Sequence, residues 1–258
     1  MADPVEVREV ASLDEARAAA DLIDRVWDER RVVTPALLRA MSTHGSPVLA
    51  AFAGGRMVGA QMGFLALAED GLSLHSHVTG VEPGLQHAGV GLRLKVAQRE
   101  WCLQRDIHLI TWTVDPMIAR NAYFNLEKLG ARATRFHRDF YGPMGDAHNA
   151  GERTDRLEVR WELADPGVAA ALEGRRDEPP GDAPFLLDAE DGAPAPGGGG
   201  GDRVLLRIPS DYPALRASDP GGARAWREAA GDAFEAAFAS GYLATRFLRE
   251  GIYVLERA

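Results

Sequence analysis

Residues 81–91, Val-Glu-Pro-Gly-Leu-Gln-His-Ala-Gly-Val-Gly, join a strand-like stretch to a helix-like one, and this junction narrows what the chain can fold into. Before it, residues 72–78 read Leu-Ser-Leu-His-Ser-His-Val, a strand pattern. After it, apolar side chains fall at 92, 94, 96, 97, 101, 102 and 103, mostly at helical spacing. A helix start offers unpaired backbone N–H groups and the positive end of a dipole. Glycines at 89 and 91 let an anion approach that backbone without Cβ atoms in the way. The loop reads as a phosphate cradle; the plainer alternative is a tight strand-to-helix connection.

Two phosphate motifs are excluded. A Walker loop ends in Gly-Lys-Ser/Thr, whereas Gly91 is followed by Leu92 and Arg93. The dinucleotide fingerprint needs a third glycine where this chain has Leu94. What remains, Gln86-x-x-Gly89-x-Gly91 preceded by Val81, resembles the pyrophosphate loop of the GNAT superfamily of acyl-CoA-dependent N-acyltransferases. Glu127-Lys128-Leu129-Gly130-Ala131 is similar to a helix end common in that superfamily.

The flanking pattern agrees in order. Residues 5–12 predict a strand and 13–28 an amphipathic helix capped by Ser12. A short helix over 35–41 and a hairpin of 48–53 with 56–67 around Gly54-Gly55 come next. A strand over 109–114, a helix over 117–129 stopped by Gly130, and a closing strand over 156–163 follow. The resemblance covers residues 5–163 and implies an α/β (α+β) fold, a mixed, strongly twisted sheet flanked by helices. Residues 1–163 are therefore expected to form the acyltransferase domain. Residues 164–202, rich in Pro, Gly and acid, predict a flexible linker. Residues 203–258 predict a small docked β-α-β-β unit, with Trp226, Ala230, Phe234 and Phe238 along one helix face.

Charge and composition bound the function classes. A formal net charge of −9 over 258 residues argues against a general nucleic-acid binder. No apolar run approaches a membrane span, and the N-terminus lacks a signal-peptide layout, so the expected location is cytoplasmic. Cys102 is the only cysteine, which rules out an internal disulfide and points to buried packing.

The resemblance implies a cosubstrate, acetyl-CoA or another acyl-CoA, and a small-molecule amine as partner. With the charge and hydropathy above, the expectation is no nucleic acid, no membrane and no metal, with a homodimer allowed. Carried over by position, the backbone at Thr79, Gly80 and Val81 pairs with pantetheine. Gln86, His87, Ala88, Gly89, Val90 and Gly91 hold the pyrophosphate, and Asn121 and Asn125 reach the cofactor arm. His75 and His77 share one face of a strand, where some members carry a catalytic histidine pair. Imidazole titrates near neutrality and can relay the amine proton through water; the alternative is a hydrogen-bonded structural pair. Leu126 stands where the superfamily commonly has its tyrosine acid, leaving Tyr123, one turn earlier, as the substitute. Tyr141 and Arg156 fall in the region that walls the acceptor site, where Arg156 suits an acceptor carboxylate. The resulting expectation is acyl transfer to a small amine, an amino acid among the candidates. An N-succinyltransferase and a non-catalytic CoA-binding protein are the competing readings.

Overall fold

The computed structural model describes residues 4–29, 32–68, 71–85, 88–144 and 151–258. The chain divides into two compact units, one built mainly from the chain through Trp112 and the other from Thr113–Pro143 and Gly151–Ala258.

The first unit runs β1 (Val5–Glu9), α1 (Leu13–Trp27), α2 (Pro35–Thr43), β2 (Val48–Ala53), β3 (Arg56–Ala68), β4 (Gly71–Val81), α3 (Val90–Leu103) and the start of β5 (Leu109–Val114). Its helices begin where the side chains dictate. Ser12 accepts a hydrogen bond from the Glu15 N–H, and Thr34 accepts one from Leu37 with Pro35 opening the first turn. The strands lie in the order β1-β2-β3-β4-β5, antiparallel except for the parallel β4–β5 pair. Alternation along β2 splits the core in two. Val48 and Ala50 join Leu22 and Ile23 of α1, Leu38 of α2, Met62 and Val78 on one face. Leu49 and Ala51 join Val58, and Val90 and Leu94 of α3, on the other. Ile23 and Leu94 are fully buried, and burial of such a side chain contributes about 1.5–3 kcal/mol.

The second unit continues with α4 (Ala119–Tyr123), a π-helical turn (Phe124–Lys128), β6 (Arg132–His137), β7 (Arg156–Glu162), α5 (Pro166–Leu172), β8 (Phe185–Glu190), β9 (Ala193–Pro196), β10 (Arg203–Arg207), α6 (Tyr212–Ser218), α7 (Pro220–Ala239), β11 (Tyr242–Leu248) and β12 (Ile252–Arg257). Its strands follow the order β7-β6-β11-β12-β10-β8-β9. Trp226, Ala230, Phe234 and Ala237 form the buried face of α7, and Phe234 meets Tyr253 edge-on at 5.1 Å.

Two expectations about this unit need correction. The helix foreseen over 117–129 is a short α-helix that widens into a π-turn, where the Leu129 N–H reaches back to the Phe124 carbonyl at 3.0 Å. Gly130 is needed there twice over. Its φ is +69°, and a Cβ would stand 2.9 Å from the Ala171 Cβ. The segment foreseen as a linker instead contains α5 and the β8–β9 hairpin, with β8 parallel to β10. Composition misled because its Asp-Gly and Gly-rich pieces have structural uses. Asp191 and Gly192, both at positive φ, turn the hairpin, as a two-residue loop demands. A Cβ at Gly197 or Gly199 would collide with the Phe185 carbonyl, so these glycines mark close packing rather than slack.

Candidate active site

The loop into α3 is shaped by its glycines. Gly89 caps the helix at φ +75°, a conformation costly for residues with a Cβ, and among the described residues no atom beyond its immediate chain neighbours lies within 4 Å of where a Cβ would point. At Gly91 the nearest atom to such a Cβ among the described residues, its chain neighbours apart, is the Val81 Cγ2 at 3.8 Å. The first intrahelical bond runs from Arg93 to Gly89 at 3.0 Å, so the N–H groups of Val90, Gly91 and Leu92 precede the helix ladder. Ala88 is bound back to the Leu85 carbonyl at 3.0 Å. Gln86 and His87 lie outside the described residues. The helix start therefore offers oriented donors, a positive dipole end and open space in one place.

Strand β4 supplies the adjoining edge. Its paired residues on β5 are Leu74 with Ile110 and His75 with Thr111. The Glu82 N–H donates to Val58 on the β3 side at 2.9 Å, so alternation turns the N–H and C=O of Thr79 and Val81 toward the opposite edge. Gly80 is fixed by packing, since a Cβ there would meet Leu22 of α1 at 3.2 Å.

A β-bulge interrupts the β3–β4 ladder. Met62 pairs with Val78 and Gly63 with Ser76, which leaves His77 without a partner across the ladder. The structure brings His75 and His77 together: their rings are 6.4 Å apart, and both lie against Phe64, at 5.0 and 5.9 Å. His75 Nδ1 is 3.1 Å from the Thr111 hydroxyl, a contact that fixes the ring. His77 keeps an exposed edge, yet surrounding protein atoms desolvate it enough to lower its pKa, favouring the neutral form that accepts a proton. Glu82, near the end of the strand, is engaged by Arg25 at 3.2 Å.

The opposite face of β4 holds a polar cluster that the sequence reading missed. Lys95 of α3 is buried, with Nζ 2.8 Å from the Ser76 hydroxyl and 4.0 Å over the Trp112 ring. Gln61 donates to the Gln98 side-chain oxygen at 2.6 Å and to Ser76 at 3.2 Å. Burial pushes the Lys95 ammonium down to about 7, and pushes the Cys102 thiol up to about 12. Among the described residues no carboxylate forms an ion pair with Lys95. Lys95, Gln98 and Cys102 recur at helical spacing on the buried face of α3, the signal that would have exposed the cluster.

The remaining candidates belong to the second unit. The Tyr123 hydroxyl accepts a hydrogen bond from Arg249 at 2.8 Å, and that guanidinium also covers its ring. Leu126 is buried among apolar side chains. Asn121 is exposed while Asn125 is buried against a cavity of about 10 Å³ with Val114, Leu126 and Tyr253, so the π-turn separates residues that an α-helix would align. Tyr141 and Arg156 do come together. The guanidinium lies 5.3 Å from the tyrosine ring, whose hydroxyl is 2.9 Å from Thr113. Met117 is fully buried. Arg227 is buried between Asp115 at 3.0 Å and Glu152 at 2.8 Å, with Tyr212 closing the network. Among the described residues no helix is long and apolar enough to cross a membrane, and no cluster of three or more His, Cys, Asp or Glu is placed to hold a metal ion.

A scan of protein-family models and a search of curated proteins each gave no match. Solved structures do match. The ribosomal-protein-S18-alanine N-acetyltransferase from Escherichia coli aligns with a TM-score of 0.51 and 14% identity, covering 63% of this chain and 96% of its own. A putative acetyltransferase from Salmonella typhimurium, solved with its cofactor acetyl-CoA, reaches 0.52 at 17% identity over 69% and 99%. A putative acetyltransferase from Acinetobacter baylyi ADP1 gives 0.52 at 12% identity over 64% and 94%. At these identities the likeness shows a GNAT-like fold and nothing of role.

Proposed function

We propose that this chain transfers an acyl group, acetyl by default, from acyl-CoA to the amine of a small molecule, an amino acid among the candidates. One observation carries the reading. A single unit combines the β4 edge presented by Thr79 and Val81, the open N-terminus of α3, and a bulge that presents His77. The α3 N–H groups, with Gln86 to Gly91, hold the pyrophosphate. Pantetheine pairs with Thr79 and Val81 as an added strand. The Val81 N–H or a neighbour donates to the oxyanion of the tetrahedral intermediate. His77 takes the amine proton through water, and His75, held by Thr111, orients it. Arg249 occupies the Tyr123 hydroxyl and Leu126 is apolar, so this reading draws no acid from that segment.

Free-thiol release from acetyl-CoA and succinyl-CoA, measured across a panel of amines and amino acids, tests it. Turnover with one pairing well above the rest supports the proposal and identifies the donor. Tight CoA binding without thiol release from any pairing points to the non-catalytic reading. Absence of CoA binding removes both.

A further inference from the structure

Aminolysis of a thioester expels a thiolate, and a site that excludes water must neutralise it. On the acyl-transfer reading above, the position of that sulfur follows from topology. The phosphate site lies just past Val81, at the start of α3, so pantetheine lying along β4 runs from Val81 back toward the paired residues His75 and Thr111. Its thioester end then falls beside Ser76 and Trp112, the residues that follow the paired positions on β4 and β5.

Lys95 touches both of these residues, through the Ser76 hydroxyl and across the Trp112 ring. It approaches from the α3 face of the sheet, whereas His75 and His77 occupy the other face with Phe64. The cluster also keeps unused polar capacity, since among the described residues Gln61 Oε1 and Gln98 Nε2 have no hydrogen-bond partner. An ammonium buried without a carboxylate is costly, so its retention calls for a negative charge that arrives during function.

We propose that Lys95 is the catalytic acid, neutralising the departing CoA thiolate and donating the proton that converts it to the thiol. The substrate ammonium gives one proton to His77 through water, and its nitrogen forms the bond to the acyl carbon. As the tetrahedral adduct collapses, the C–S bond breaks, its electron pair leaves with sulfur, and sulfur takes a proton from Lys95 Nζ. The adduct nitrogen loses its second proton to solvent, and Lys95 recovers one from solvent when CoA departs. The balance is ammonium plus thioester giving amide, thiol and one released proton. The pKa of about 7 that burial gives Lys95 lets it release a proton near neutrality, and among the described residues the thiol Cys102 is the other titratable group facing it.

The test titrates the thiol of bound CoA by its thiolate ultraviolet absorbance, in the wild type and in Lys95→Met. Cys102, held near 12, stays silent over the range scanned. In the wild type the bound thiol should titrate about 1 unit or more below a free thiol, and the substitution should abolish that difference. With acetyl-CoA and the best acceptor of the amine panel, kcat should fall about 100-fold or more while KM stays within a few-fold. The melting temperature should hold or rise, whereas a merely structural lysine would give a lower melting temperature and an unchanged thiol titration. Should Lys95→Met not fold, ¹⁵N detection of the wild-type Lys95 Nζ decides. CoA should raise its titration midpoint and desulfo-CoA should not. Equal thiol titrations in the two proteins, or equal Nζ responses to the two ligands, overturn the proposal. Failure of the wild type to bind CoA overturns the acyl-transfer reading instead.

Discussion

Gly91→Val separates folding from ligand binding because the two effects have different physical origins. Gly91 lies in the first turn of α3 and is not among the glycines at positive φ, so the backbone accepts a side chain there. Among the described residues, chain neighbours apart, its Cβ would meet nothing closer than the Val81 Cγ2 at 3.8 Å, an ordinary van der Waals distance. Replacing a helical glycine also recovers backbone entropy, so we expect folding stability to change by less than about 0.5 kcal/mol. The new methyl groups, however, enter the space beside the unpaired helix N–H groups. A pyrophosphate pushed back by about the width of a methyl group loses its short hydrogen bonds, and we expect at least a tenfold weaker Kd, roughly 1.4 kcal/mol. Calorimetry with CoA and denaturant unfolding of the same sample measure both quantities. Gly89→Val serves as the contrast, because φ +75° imposes about 1–2 kcal/mol of strain in addition to the loss of binding. A folded Gly91→Val protein with wild-type CoA affinity would refute the cradle.

Three other outcomes are expected. His77→Ala should lower kcat about 100-fold and flatten the acidic limb of the pH–rate profile, since only neutral imidazole accepts a proton, whereas a structural role predicts a lower melting temperature with kcat intact. Lys95 should make stability rise with pH between about 7 and 10.5, because the unfolded lysine binds more protons in that window than the folded one; denaturation at several pH values should give up to about 1.4 kcal/mol per pH unit, a slope absent from Lys95→Met. Arg227→Met should cost about 3–5 kcal/mol in denaturant unfolding by stranding Asp115 and Glu152, and an unchanged midpoint would show that water already reaches those carboxylates.

The sequence revealed what repeats locally. The α3 loop was readable because glycines at 89 and 91 sit between a strand pattern and a helix pattern, and the histidine pair because strand alternation puts 75 and 77 together. The bulge was not, since it exists only in the register between β3 and β4, and that register depends on both strands at once. Lys95 escaped because a lysine on an amphipathic helix ordinarily faces water; its burial is set by Trp112 and Ser76, far away in the chain. The pairing of Tyr141 with Arg156 and the capture of Tyr123 by Arg249 are likewise long-range events. The β8–β9 hairpin was legible in principle from Asp191-Gly192, but the surrounding Pro and Gly content outweighed that dipeptide in the reading.

Strand β4 contains 11 residues, yet β3 provides ten of them with a partner, from Gly59 opposite Val81 to Ala68 opposite Gly71. The surplus residue is His77. A chain one residue shorter at this point would close into an unbroken hairpin, with Val78 and Ser76 becoming neighbours and keeping the partners they already have. Foldability alone would therefore favour the deletion, because a regular ladder satisfies more backbone groups than an interrupted one. The added length serves the imidazole it carries, and across descendants of this sequence His77 and the kink should be inherited or lost as one unit.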